Sequence, residues 1–150
     1  MTQTLALTAL VGTWMLTAVE VRYSDGEVKY PYGKHPQGYL VYTEDGFMSA
    51  VITEQERSPF TVDDIFGGTV EEQAQAARTY LSYCGPYSVH ENEVIHHVDL
   101  SLFPNWMGQE QLRYIESVDD NQLVLRAMPL LLAGRQGTSY LIWHRRHKSM

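Results

Sequence analysis

Short runs rich in β-branched and aromatic residues recur along this chain, and the connections between them alternate between long and tight. The runs cover residues 14–23, 38–43, 47–53, 83–90, 94–102, 109–118, 122–128 and 138–145. Such residues suit the pleated, half-buried surface of a sheet. Three joins, Glu44-Asp45-Gly46, His90-Glu91-Asn92-Glu93 and Asp119-Asp120-Asn121, have the composition of tight turns. The joins at 24–37, 54–82, 103–108 and 129–137 are longer. Successive connections of a meander lie at opposite ends of its strands, so the tight turns share one end and the long loops the other. Eight strands can close an antiparallel sheet with room inside for one small ligand, and closure removes exposed edges. The expected fold is therefore all-β: one eight-stranded up-and-down antiparallel barrel spanning residues 1–150. Its mouth lies among the long loops. One helix, from Thr69 to about Leu81, lies in the second of the long joins, between the strands at 47–53 and 83–90. Thr69 and Glu72 fit a capping box, and Ala74, Ala76 and Ala77 supply helix propensity.

Composition narrows the function. The formal charge is −7, and the one basic cluster is His144-Arg145-Arg146-His147-Lys148. Nucleic acid is a poor partner for that balance, because its binding rests on Lys and Arg neutralising phosphates. No apolar run reaches the ~18 residues of a membrane span. The single Cys84 forms no intrachain disulfide, and residues 1–11 carry no Lys or Arg, so they read as the start of the fold and not as a signal peptide. A cytoplasmic protein is the expectation by elimination. Ten Tyr, four Phe and three Trp suit the wall of a wet pocket, since Tyr has an apolar body and a polar tip.

Several residues are candidates for chemistry. His96 and His97 are neighbours on a strand and point to opposite faces. Val94, His96, Val98, Leu100 and Leu102 form the apolar face, which makes His96 the inward histidine, either a general acid–base or a core imidazole bonded to a Tyr. His97 then pairs with Asp99 in solvent; the opposite phase would turn that pair into the lumen. Tyr42, Tyr83, Tyr87 and Tyr114 are candidate pocket tyrosines, able to stabilise charge developing on a carbonyl or to serve only in sheet packing. Asn105 and Trp106 sit at the expected mouth, where Trp106 can stack on a flat ligand or plug the barrel. Tyr30, Tyr32, His35, Phe60, Phe66 and Leu130 to Leu132 complete the expected rim. Arg113 shares a face with Gln111 and Ile115; inward it would grip a carboxylate or enolate, and outward, the commoner case, it is a solvated strand charge. Cys84 has no Cys–His–Asx surroundings. Gly67-Gly68 lacks the Lys and spacing of a phosphate loop, and no dinucleotide motif occurs. No cofactor and no metal is expected.

Gly12-Thr13-Trp14 resembles the G-x-W signature of lipocalins, and Arg145 would return beside Trp14 for the cation–π contact that closes their base. A wider similarity runs through 10–14, 38–42, 45–50, His96-His97-Val98, Gln111-Leu112-Arg113-Tyr114 and, most specifically, Ser101-Leu102-Phe103-Pro104-Asn105-Trp106. It resembles the bacterial and fungal lipocalin-like domain family, whose members often stand near secondary-metabolite genes. The resemblance implies a small-molecule barrel, sometimes recruited for isomerisation or cyclisation. The leading expectation is a cofactor-free isomerase, cyclase or dehydratase acting on a small hydrophobic natural-product-like substrate. His96 would move a proton, and Tyr114 or Asn105 would polarise a carbonyl. Tyr42, Tyr83, Tyr87, Trp106, Arg113 and His97 are the candidate ligand-binding set. A carrier using the same pocket without chemistry is the alternative. A third reading is an interaction module, with Leu130-Leu131-Leu132 as a partner or homodimer patch.

Overall fold

A computed structural model describes residues 7–132 and 134–147. The strands are β1 (Gly12–Arg22), β2 (Val28–Lys29), β3 (Gln37–Tyr42), β4 (Phe47–Thr53), β5 (Tyr80–His90), β6 (Glu93–His97), β7 (Leu100–Ser101), β8 (Glu110–Val118), β9 (Gln122–Ala127), β10 (Leu130–Leu132) and β11 (Arg135–Arg145). Eight of these form a closed antiparallel barrel in the order β1-β3-β4-β5-β6-β8-β9-β11, and β11 pairs back onto β1. The short β2, β7 and β10 extend the wall at the mouth by pairing with β1, β5 and β11. Inward positions follow the period of two: Leu40 and Tyr42 on β3, Met48, Ala50 and Ile52 on β4, and Leu123, Leu125 and Ala127 on β9 are all buried.

The base is closed as the G-x-W resemblance implies. Trp14 pairs with Arg145 across the β1–β11 seam, and the guanidinium lies 4.1 Å from the centroid of the Trp14 ring. Arg145 then donates to three carbonyls from two separate segments: Val11 at 2.9 Å and Ala9 at 2.6 Å near the chain start, and Asp120 at 2.9 Å. The Trp14 indole donates to Leu10 O at 2.9 Å, and Leu10, at the end of a helical turn over residues 7–10, is wholly buried. One arginine thus joins the chain start, the last strand and the Asp119–Asn121 turn. Residues 1–6, whose reading as part of the fold and not a leader was an expectation, lie outside the described residues. So do the side chains of Leu130 and Leu132, two-thirds of the expected apolar patch; Leu131 is exposed.

Elements differ from expectation at three places. The helix, α1, spans Val70–Arg78 and not up to Leu81: Thr79 ends it, its hydroxyl donating to Gln75 O, and the chain enters β5 at Tyr80. The capping box of Thr69 and Glu72 is present. β11 begins at Arg135, where β10 gives it a partner. The strand expected at 94–102 is broken. Tyr87 pairs with His96, whereas Tyr83 pairs with Ser101, so one extra residue enters between them and the faces exchange. Val94, His96 and Val98 are buried as expected, but Leu100 is 61% exposed and Leu102 is exposed as well. Gly85 faces this bulge, and a Cβ there would overlap the His97 carbonyl oxygen.

Gly12 explains the first letter of the motif. Its φ is +133°, and a Cβ would stand 2.7 Å from the Arg145 guanidinium. Gly12→Ala therefore strains the backbone and displaces Arg145. Urea unfolding should show a loss of about 2–3 kcal/mol; a loss below about 0.5 kcal/mol would mean that the close approach of Arg145 is not what selects glycine.

Candidate functional site

The long connections do converge at one end, opposite the Glu44-Asp45-Gly46 turn. A cavity of about 650 Å³ opens beneath them, within the range of small-molecule pockets. Every long connection contributes: Pro31 and Tyr32 from the first, Ala77 and Tyr80 from the end of α1 and the start of β5, Leu102, Phe103 and Trp106 from the third, and Leu131 from the last. Val19, Ile52, Leu81, Ala127 and Leu141 line the barrel wall, with Tyr83, Arg113 and Ser139 as polar members. Trp106 packs edge-on against Tyr83, centroids 5.3 Å apart, and Phe103 packs on Trp106.

Below the cavity lies a chain of three polar rings. His96, 1% exposed, has both nitrogens engaged: the Tyr42 hydroxyl is 2.7 Å from Nε2 and the Tyr83 hydroxyl 2.9 Å from Nδ1. Burial, then the Arg113 charge, then His97 hold the imidazole pKa well below its ordinary value, so the ring is neutral and carries one N–H. Burial likewise raises Tyr83 and raises Tyr42 strongly, and both phenols keep their protons. Tyr42 is 1% exposed, and among the described residues its hydroxyl has hydrogen-bond contact with His96 alone. A buried hydroxyl needs an acceptor for its proton. The arrangement that satisfies it has Tyr42 O–H donating to Nε2 and Nδ1–H donating to the Tyr83 oxygen. The Tyr83 proton is then left for an acceptor outside the chain. Only Tyr83 of the three lies on the cavity wall.

Arg113 is 5% exposed and lines the same cavity. Its expected outward orientation is thus corrected: it points inward, its guanidinium donating to Leu112 O at 3.0 Å and standing 6.0 Å from the Trp106 ring centroid. It is close enough to Tyr83 to draw that phenol's pKa down against the effect of burial.

The same parity places Tyr114 on the outer wall, where Arg126 covers its ring at 4.4 Å; it cannot polarise a carbonyl in the cavity. Asn105 is also corrected: it is exposed in the 3-10 turn Pro104–Trp106 and does not line the cavity. His97 faces outward, but its neighbours are Ser88 at 3.0 Å and Glu110 at 3.6 Å in place of Asp99. Tyr87 is buried, yet its hydroxyl donates to Thr43 O at 2.7 Å at the closed base, and its ring packs on Tyr42. Tyr87 and Tyr42 therefore hold the floor from below. Of the expected rim, Tyr32, Trp106 and Leu131 line the cavity; Phe60 and Phe66 line a separate shallow depression beside α1, and Tyr30 and His35 are exposed. Tyr80 and Leu81 were not singled out from the sequence because they were read as the end of the helix, whereas they open β5; Ser139 lay within an expected strand with nothing in the sequence to mark it.

A barrel stoppered at one end, with a large apolar cavity under its long loops, is the architecture of a lipocalin-like barrel. Residues 11–146 match the lipocalin-like domain family, and the chain belongs to that family. A protein of Aspergillus oryzae described as a 4'-hydroxy-3'-methoxypropiophenone carrier protein is 31% identical over 106 residues, 65% of this chain and 96% of the relative. A redesigned β-barrel of known structure overlays with a TM-score of 0.44 at 12% identity, over 95% of this chain and 96% of its own. No helix among the described residues is long and apolar enough to cross a membrane.

The depressed His96 pKa fixes a pH dependence. Unfolded, the imidazole titrates near 6.5; folded, it resists the proton to lower pH. Its contribution is full above the unfolded value and is lost as pH falls below it, because the unfolded state then binds the extra proton. Between pH 6 and 5, wild-type unfolding free energy should fall more steeply than that of His96→Gln, by up to about 1.4 kcal/mol per pH unit. Parallel curves would contradict a neutral buried imidazole.

Proposed function

We propose that this protein binds and carries a small, flat, largely apolar organic molecule that presents a carbonyl-type acceptor, without transforming it. The observation that carries this reading is the position of His96. A general base must reach the proton it removes at about 2.6–3.2 Å or through one water. His96 has both nitrogens occupied and sits behind Tyr83, off the cavity wall. What remains in the cavity is a binding surface: aliphatic walls, the edge and face of Trp106, and donors at the floor. The carrier name of the Aspergillus oryzae relative supports the same reading, as does a cavity sized for one small ligand.

A second reading rests on one feature, the Tyr83 hydroxyl at the cavity with an imidazole behind it. In a cofactor-free isomerase or cyclase Tyr83 would be the acid. The two readings part on turnover. Titration with 4'-hydroxy-3'-methoxypropiophenone, followed by quenching of Trp106 fluorescence, should give a dissociation constant in the micromolar range or tighter, with the ketone recovered unchanged. Trp106→Ala should weaken binding about tenfold, and Tyr83→Phe about three- to tenfold, the worth of one neutral hydrogen bond. Absence of binding would contradict the carrier reading. A product whose formation is lost in Tyr83→Phe while binding persists would replace it with the enzymatic one.

A further inference from the structure

Among the described residues, Arg113 is the one full charge on the cavity lining. It is buried, and no Asp or Glu pairs with it among the described residues. Its partners are all neutral: it donates to the Leu112 carbonyl, it stands within reach of the Tyr83 hydroxyl oxygen, and the Trp106 ring centroid lies at 6.0 Å. A buried charge is ordinarily paired, and a guanidinium has no route to neutrality by losing its proton. Beside it the Tyr83 hydroxyl has a proton to give, since Nδ1–H of His96 already donates to its oxygen. The floor of a largely apolar cavity therefore presents donors from Arg113 and Tyr83, one of them charged. A neutral ketone would satisfy Tyr83 and leave Arg113 without a counter-charge.

We infer that the ligand is an organic acid: a small aromatic molecule whose carboxylate is held by Arg113 and Tyr83, with its ring between Trp106 and the aliphatic wall. This rests on the reading of the cavity as a binding site and adds the charge of what fills it. A planar guanidinium takes a carboxylate by two parallel hydrogen bonds, and pairing away from water strengthens the attraction. The net −7 of the chain does not oppose this, because surface charges are screened over about 10 Å while a pair inside the barrel is screened far less.

The test is calorimetric titration at pH 7 with 4-hydroxy-3-methoxyphenylpropenoic acid, its isosteric primary amide, and the propiophenone as a neutral ketone on the same substituted ring. Wild-type protein should bind the acid at least tenfold tighter than the amide. In Arg113→Met the acid-to-amide ratio should fall to about one while the amide constant changes less than threefold. Arg113→Lys, which keeps the charge and loses the fork, should keep part of the preference and shows the same dependence should the Met variant fold poorly. Equal binding of acid and amide by the wild type, or a preference that survives in Arg113→Met, would overturn the inference and leave the cavity reading standing. Failure of all three molecules to bind would contradict both.

Discussion

A histidine ring enclosed by protein must find a partner for each nitrogen within the fold, and His96 finds both in tyrosines from other strands. Tyr42 reaches it from β3 and Tyr83 from β5. That requirement divides the barrel. Below the chain of rings the interior is solid, filled by Leu10, Trp14, Trp143, Met48 and Leu123. Above it the interior is hollow and largely apolar, with Tyr83 and Arg113 at its floor. The ring chain carries the order of the core up to the cavity: Tyr42 is packed by Tyr87, which is tied to the base turn through Thr43. The donor that Tyr83 offers at the floor is thereby held by the lower half of the molecule. A neutral network whose enclosed members, Tyr42 and His96, are both satisfied can hold geometry in this way.

The closed base and the open mouth divide labour along the barrel axis. Arg145 draws the chain start and the Asp119–Asn121 turn onto Trp14, and the tight turns leave little chain to move. At the other end the cavity rim comes from four stretches far apart in sequence. Loops on a rigid scaffold can vary without disturbing the wall. Trp106 stands where the two regimes meet, exposed enough to touch a ligand and packed on Tyr83.

Much of this was legible from local chemistry. The eight barrel strands and the barrel's direction follow from period-two patterning and turn composition, both of which act over a few residues; the Trp14–Arg145 contact was implied by the G-x-W resemblance. His96 was placed inward by the apolar neighbours at Val94 and Val98, and its Tyr partnership was one of two readings of that position. The failures share a cause, which is that parity propagates. A charge at position 113 reads as outward, and placing Arg113 outward sends Tyr114 inward; the structure reverses both together. The bulge after Val98 reverses parity once more, and its determinant, Gly85, lies on the neighbouring strand. Asn105 was chosen for its chemistry and its loop, and a loop has no period that tells which way a side chain points.

The central claim is that His96 is a neutral, doubly bonded support for the cavity floor, with its proton on Nδ1. Nitrogen NMR of the labelled imidazole reads this directly. The account predicts a single neutral tautomer protonated at Nδ1 that persists as pH falls through the ordinary imidazole range. An imidazole that takes up a proton in that range, or one protonated at Nε2, would contradict the chain from Tyr42 to Tyr83 on which the floor depends.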